Sequence, residues 1–147
     1  MWLLGHLALG YFSALATSKY TGNKMNIPIV WVFSMLPDLD RFFFRYLIHR
    51  GPSHSIVVAV VAFIPLLLIF RQGLPYLAAL MSHTLIGDYF VGQTQMFWPL
   101  SKVWYGAPPA FQLTGLTESF VEVTLFILMV AMIWFRRRNI ANSPVLK

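Results

Sequence analysis

The sequence contains no cysteine, and it has only five acidic residues and four histidines among 147 residues. Disulfide bonds and thiolate metal ligands are therefore excluded, and any metal site must use imidazole, carboxylate, backbone oxygen or water. Charged residues make up 11% of the chain and hydrophobic residues 58%. Soluble domains carry roughly 25% charged residues, so this composition is typical of a membrane protein, and the length suffices for one domain.

The net charge is +6, but the basic residues are spread along the chain. Their one cluster is Arg136-Arg137-Arg138, which follows an apolar run. Such a cluster is typical of the cytoplasmic end of a membrane segment, because basic residues are enriched in cytoplasmic loops. A nucleic-acid-binding protein would carry a basic patch or stripe, so we expect no nucleic-acid partner.

Five apolar segments cover approximately residues 2–17, 26–36, 52–70, 74–91 and 117–135. Each is predicted to be helical, because a lone strand cannot satisfy its backbone groups in lipid. The second segment is too short to cross about 30 Å of hydrocarbon, so it either ends inside the bilayer or continues into Phe42-Phe43-Phe44. We predict an all-α, multi-spanning bundle of four to five membrane segments, with residues 1–138 as one domain and 139–147 as a polar tail.

The ends of the chain have a predicted orientation. The first segment resembles a signal peptide at Ala14-Leu15-Ala16, but no Lys or Arg precedes it and it contains His6, so we expect it to be retained. The arginine cluster predicts a cytoplasmic C-terminus, and five crossings then place the N-terminus outside. By helix length, all four histidines and the three aspartates fall in the outer half of the bilayer. We therefore expect an integral protein of the inner or plasma membrane, with its polar site toward the outer face.

Imidazole and carboxylate groups gathered at membrane depth indicate a metal ion, whose charge lets the carboxylates stay ionised. We expect a divalent cation, zinc first, with manganese or iron as alternatives, because mixed N/O ligation does not choose among them. Such a cation polarises a phosphoryl or carbonyl oxygen and lowers the pKa of its water to roughly 7. The expected ligands are His6, Asp38, Asp40, His54, His83 and Asp88. The expected catalytic residues are Asp40, His49 and Arg50, whose guanidinium suits an anionic substrate.

Each candidate also has a structural explanation. These are packing of His6, a helix-end turn at Asp38-Leu39-Asp40, exposure of His54 behind a Ser53 helix cap, and an internal pair of His83 and Asp88. Glu118 and Glu122 are expected to serve the start of the fifth segment, where Ser119 and Glu122 have capping-box spacing. For the whole protein, the alternative to a hydrolase is a non-catalytic scaffold or a metal or proton conduit. A conduit needs polar residues across the whole bilayer, and the inner halves of the segments are apolar.

Five short motifs occur in a recognisable order: GHLALG at 5–10, LPDLD at 36–40, HRGPSHS at 49–55, SH through GD at 82–88, and WPL at 98–100. With them the sequence resembles the YdjM-like family of membrane-bound, predicted metal-dependent hydrolases, some of which are LexA-regulated. The resemblance implies a multi-span helical inner-membrane protein with a His/Asp metal centre. A weaker resemblance to zinc-dependent phospholipase C implies a phosphoester or lipid substrate, with membrane lipids as partners.

The spacing in the fourth segment departs from the pattern of that family. The family usually places His and Asp as H-x3-D, whereas four residues separate His83 from Asp88 here. On a regular α-helix the two side chains would diverge by about 140°. Either Gly87 permits a local π-bulge, which often occurs at functional sites, or Asp88 lies past the helix end. Otherwise Asp88 is not a ligand.

Overall fold

The computed structural model describes residues 3–40, 49–70 and 72–141. Within these ranges all regular structure is helical, apart from one isolated bridge between Thr94 and Tyr105, which confirms the all-α class. The five α-helices are α1 (Leu3–Thr21), α2 (Ile27–Met35), α3 (Ile56–Ile69), α4 (Leu74–Ser82) and α5 (Gly115–Ala141). The predicted continuation into Phe42-Phe43-Phe44 lies outside the described residues, as does the tail beyond 141.

Helix α1 is the central element, and it packs against α2, α4 and α5. Its buried residues include Ala8, Tyr11 and Leu15, which form a core with Met129 of α5. Where α1 crosses α2, a Cβ on Gly10 would collide with the side chain of Ser34. Small residues at a helix crossing allow the backbones to approach closely, and this crossing brings the end of α2 beside the N-terminal half of α1.

The expected bundle of four to five membrane segments is not confirmed. Among the described residues, one helix is long and apolar enough to cross a membrane, at Gly115–Asn139, with a mean hydropathy of 1.9 over its best window. Helix α3 has 14 residues, which corresponds to about 21 Å and falls short of a hydrocarbon core of about 30 Å. Helix α2 ends where Pro37 enters a 3₁₀ turn at Leu36–Leu39, so this segment is also short.

The ends of three helices are fixed by local hydrogen bonds. Asn26 caps α2 as predicted, because its side chain accepts from the Ile29 amide. Ser55 rather than Ser53 caps α3, accepting from the Val58 amide, and residues 52–54 form a separate 3₁₀ turn before it. Helix α5 begins at Gly115, so the predicted capping box is wrong; Ser119 instead donates to the Gly115 carbonyl.

The chain between α4 and α5 covers the beginning of α3. The Ile56 amide donates to the Met96 carbonyl at 2.9 Å, and the Gln95 amide donates to the Arg50 carbonyl at 3.0 Å. The side chain of Ser55 also donates to the carbonyls of Met96 and Trp98. These contacts hold the HRGPSHS segment in place, and with it the side chains that enter the protein interior there.

Candidate metal centre

Side chains from four separate parts of the chain meet beside the N-terminal half of α1. They are His6 of α1, Asp38 of the turn after α2, His54 of the turn before α3, and His83 and Asp88 after α4. The three histidines and Asp88 are at most 2% exposed. None of them points outward to lipid, so the structure brings together five of the six residues that the sequence predicted as ligands.

Four atoms in this cluster face one another across a small space. They are Nε2 of His54, Nε2 of His83, Oδ1 of Asp38 and Oδ2 of Asp88. His54 lies 3.1 Å from Asp88, 3.3 Å from His83 and 3.6 Å from Asp38 through these atoms. His83 lies 3.5 Å from Asp88 and 3.7 Å from Asp38. Five of the six separations between the four atoms are therefore between 3.1 and 3.7 Å.

The proton on each imidazole is fixed on the side away from this space. Nδ1 of His83 is 2.7 Å from the carbonyl oxygen of Ser34, and because a carbonyl can only accept, Nδ1 carries the proton. Ser53 donates to Oδ2 of Asp40 at 2.6 Å and lies 3.0 Å from Nδ1 of His54. The Ser53 proton is engaged with the carboxylate, so Nδ1 of His54 is the donor to Ser53. Both Nε2 atoms are then left with lone pairs.

With both imidazoles neutral, two imidazole lone pairs and two carboxylate oxygens face a common centre, and none of the four donates to another. Gathering four electron-rich atoms in a buried place is unfavourable unless positive charge lies between them. A tetrahedral ion with bonds of about 2.0–2.2 Å to N and O would separate its ligands by about 3.3–3.6 Å. The observed separations bracket these values, so the residues present fit a divalent metal ion.

The surroundings of His54 also favour positive charge. His54 lies in the 3₁₀ turn before α3. Burial disfavours its charged form, but the carboxylates of Asp38 and Asp88 outweigh burial, so the pKa of His54 is raised above its usual 6.5. When the histidines are neutral, they therefore do not balance the negative charge of the Asp38 and Asp88 carboxylates.

His6 extends the cluster along α1. Its Nε2 is 3.8 Å from Oδ1 of Asp88, and its ring stacks on His83 with centroids 3.8 Å apart. His6, Asp38 and His83 each offer a ligand atom, and these atoms lie within 4.8 Å of one another. The approach depends on Gly87, since a Cβ there would lie 2.6 Å from Nε2 of His6. His6 can thus contribute a further ligand or bind a second ion.

Asp40 lies on the opposite side of His54 from the four-atom centre. Its carboxylate is 3.6 Å from Nδ1 of His54 and 3.3 Å from Nδ1 of His49. Asp40 is absent from the groups whose ligand atoms converge within 4.8 Å in the described residues, whereas His49 forms such a group with Asp38 and His54. Asp40 thus lies behind His54 as seen from the four-atom centre, a position from which carboxylates commonly orient a metal-bound histidine.

Arg50 lies at the edge of the cluster, where the chain makes a left-handed turn with φ of 64°. Its Nη2 is 3.3 Å from Oδ1 of Asp88, and its side chain is 21% exposed. Residues other than glycine adopt this backbone conformation infrequently, and the strain is held by the hydrogen bond from Gln95 to the Arg50 carbonyl. The guanidinium thus contacts the buried carboxylate of Asp88 while part of the Arg50 side chain remains exposed.

A π-helical turn resolves the unusual spacing in the fourth segment. Residues His83–Asp88 form a π-helix directly after α4. In a π-helix residue i lies over residue i+5, so His83 and Asp88 return to the same face instead of diverging by about 140°. The expectation that Gly87 permits a π-bulge is confirmed, and both side chains enter the cluster.

Three contributors to the cluster were not predicted as parts of it. The Ser34 carbonyl orients His83, Ser53 links His54 to Asp40, and Gly87 admits His6. In the sequence, Gly87 was marked only by its position within the irregular spacing between His83 and Asp88. Nothing in the sequence marks a backbone carbonyl as a partner of His83, because this contact depends on how α2 packs.

Comparison with known proteins places the chain in a family. A family model described as "YdjM inner membrane protein" matches residues 1–143. The chain belongs to the YdjM family. Comparison with curated proteins and with solved structures found no match, and the weaker resemblance to zinc-dependent phospholipase C has no support. Membership in an inner-membrane family agrees with the one helix, Gly115–Asn139, that can span a membrane.

Proposed function

We propose that this YdjM family member is a membrane-embedded, metal-dependent hydrolase acting on an amphiphilic phosphoester. The observation that carries the proposal is the set of four electron-rich atoms in which each of the two imidazole nitrogens lies 3.1–3.7 Å from the other and from both carboxylate oxygens. In lipid-embedded proteins such groups are costly, so they commonly mark function. A family drawn from the inner membrane has ready access to amphiphilic substrates.

The residues that would hold the ion are His54, His83, Asp38 and Asp88, with His6 beside them. When bound, a divalent cation would polarise a phosphoryl oxygen and increase the acidity of a coordinated water. Zinc is the first candidate, and manganese or iron also suits these ligands. The group of Asp38, His49 and His54 shares two residues with the four-atom centre, so a second ion could lie next to the first.

The residues around the ion have distinct tasks in this proposal. Asp40 and Ser53 orient the His54 ring, and the Ser34 carbonyl orients His83, so neither ligand needs to reorganise when the ion binds. His49 donates from Nδ1 to Asp40 at 3.3 Å, and in this proposal its imidazole is the group that accepts a proton. The guanidinium of Arg50 would bind the anionic oxygens of the substrate, since its planar fork matches phosphate.

An apolar cavity beside the cluster supports an amphiphilic substrate. It has a volume of about 350 Å³, and its apolar walls include Leu36, Pro37 and Val58. Asp40 and Ser53 are its polar lining residues, and both connect to His54. Its size lies within the range of about 300–1,000 Å³ typical of ligand pockets. An alkyl chain in this cavity would lie on the Asp40 side of His54, one side chain away from the four-atom centre.

The orientation that we propose puts this site toward the outer face. Helices α1 and α5 run in the same direction, since Leu9 shares a cavity with Leu125, and Tyr11 shares a cleft with Ile133. The arginine cluster at the end of α5 then lies at the opposite end from His6. If the arginines are cytoplasmic, as basic residues next to membrane segments usually are, the substrate comes from the outer leaflet.

The test is metal analysis of protein purified in neutral detergent without chelator, followed by assays with chromogenic phosphoesters and phospholipids. We expect bound divalent metal in the wild type, and loss of both metal and hydrolysis in His54→Ala and in Asp38→Ala. Glu118→Gln is the matched control, because this acidic residue of α5 lies outside the converging groups, and it should keep both. Unchanged metal content in the two variants would refute the ligand assignment.

The same experiment separates hydrolysis from the non-catalytic alternative. A scaffold predicts a folded wild type without metal, and a His83→Asn variant with the same melting temperature. If the protein binds metal through these residues but hydrolyses none of the phosphoesters, the proposed metal centre is supported and the proposed reaction is wrong.

A further inference from the structure

A small cleft lies between α1, the start of α2 and the last turns of α5. It has a volume of about 160 Å³. Its lining residues are Tyr11, Met25, Ile27, Ile133, Arg136 and Arg137. Its lining residues on α5 lie 8 to 12 residues from Leu125, which shares a cavity with Ile86 of the π-helical turn. That separation corresponds to about 12–18 Å, and none of the described residues that line the cleft belongs to the metal cluster.

The lining of the cleft has two chemically different parts. Four lining residues are apolar or aromatic, and Tyr11 belongs to the fully buried core. The other two are the exposed guanidinium-bearing residues Arg136 and Arg137. None of the described residues that line it is acidic. A pair of arginines next to an apolar surface therefore has no carboxylate within the cleft to balance it.

The position of the cleft along α5 matches the boundary of a bilayer. The arginines lie near the C-terminal end of the helix Gly115–Asn139 that can span a membrane, and 11% of its best window is buried inside the protein. Trp134 and Phe135 are more than half exposed just before them, and aromatic residues concentrate at membrane interfaces. A ligand in the cleft would thus meet hydrocarbon on one side and arginines on the other.

We propose that this cleft binds the phosphate head group of an anionic glycerophospholipid. Basic pockets between membrane helices are suited to such head groups, and two guanidinium groups match the oxygens of one phosphodiester. The volume is smaller than that of a typical pocket for a whole ligand, so the acyl chains would lie along the exposed apolar surface of α5. A free phosphate ion would gain no such apolar contact, which is why we assign the site to a lipid.

The experiment measures lipid binding to the purified full chain in neutral detergent. Mixed micelles containing phosphatidylglycerol should raise the melting temperature and leave a retained lipid in native mass spectra, whereas phosphatidylcholine should do neither. The double variant Arg136→Gln/Arg137→Gln should bind phosphatidylglycerol about thirtyfold more weakly, since each basic residue near the surface contributes about fivefold. Its melting temperature without lipid should equal that of the wild type, because both side chains are exposed.

Arg138 provides the matched control. Its guanidinium lies 5.2 Å from the centre of the Trp134 ring, and it does not line the cleft. Arg138→Gln should therefore lose at most the roughly fivefold that any basic residue near the surface contributes, clearly less than the double variant loses. Equal losses in Arg138→Gln and in the double variant would mean diffuse attraction to charge and would overturn the site. An equal stabilisation by inorganic phosphate alone would assign the cleft to a soluble anion instead.

Discussion

The two ends of the molecule handle charge in opposite ways. Near the start of α1, three histidines and Asp88 are at most 2% exposed, and each has defined partners a few ångströms away. At the end of α5, Arg136, Arg137 and Arg138 are exposed. Buried charge must be compensated by neighbours, whereas exposed arginines retain their hydration. A ligand at the buried end would therefore have to fit defined partners, whereas one at the exposed end would be selected mainly for negative charge.

The largest expected effect distinguishes a ligand from the residue behind it. Asp88→Asn removes a carboxylate oxygen from the four-atom centre, so we expect metal content to fall below one tenth of the wild-type value. Asp40→Asn should retain metal with an affinity lowered by about 10–100-fold, as is typical when an orienting carboxylate is lost. Titration with zinc and a competing chelator measures both affinities.

Ser53→Ala is the companion to Asp40→Asn, since Ser53 transmits the orientation to His54. We expect the two variants to lose similar amounts of affinity. If Asp40→Asn instead loses all metal, as Asp88→Asn does, Asp40 is a direct ligand, and the sequence-based assignment is the better one.

A moderate effect is expected from Gly87→Ala in the π-helical turn. The new methyl group would lie about where Nε2 of His6 approaches, at 2.6 Å. Overpacking of this kind destabilises proteins by about 1–3 kcal/mol, so the melting temperature should fall and metal affinity should weaken with it. Thermal unfolding with and without added zinc measures both.

Leu85→Ala serves as the comparison for Gly87→Ala, because Leu85 belongs to the same turn and is 40% exposed. Its melting temperature should change by less than that of Gly87→Ala. If the two variants behave alike, the turn tolerates substitution generally and the close approach of His6 is unimportant for stability.

The smallest effect tests whether the two ends are independent. Arg136→Gln/Arg137→Gln should leave metal content unchanged and alter stability by less than about 0.5 kcal/mol, as is usual for exposed residues without special contacts. Elemental analysis of the purified double variant checks this. Loss of metal in the variant would show that the ends are coupled, and the comparison between them would fail.

The sequence predicted the membership of the cluster well because the chain offers few alternatives. With no cysteine and only four histidines, any metal site had to draw on the same few side chains. The irregular His83–Asp88 spacing was also informative, since a regular helix could not bring both residues to one face. Scarcity and spacing are properties of the sequence itself, so they could be read without coordinates.

Other features could not be read in this way because they depend on packing. Whether Asp40 faces Nε2 or Nδ1 of His54 is set by the 3₁₀ turns at 36–39 and 52–54, and a shift of two residues would put Asp38 where Asp40 lies. Ser53 and Ser55 are equally suitable caps by composition. The predicted number of spans is not confirmed, because apolar composition does not reveal where a helix ends.

The π-helical turn allows the chain length of the fourth segment to vary without loss of geometry. In an α-helix, residues four apart share a face; in the π-turn, residues five apart do so. The H-x3-D spacing and the longer spacing found here can therefore present the same pair of side chains. If one residue between His83 and Gly87 were deleted, the π-helical turn could rewind to an ordinary α-helix and keep both side chains on one face. A one-residue gap at this position in a sequence alignment therefore does not mean that the site is lost.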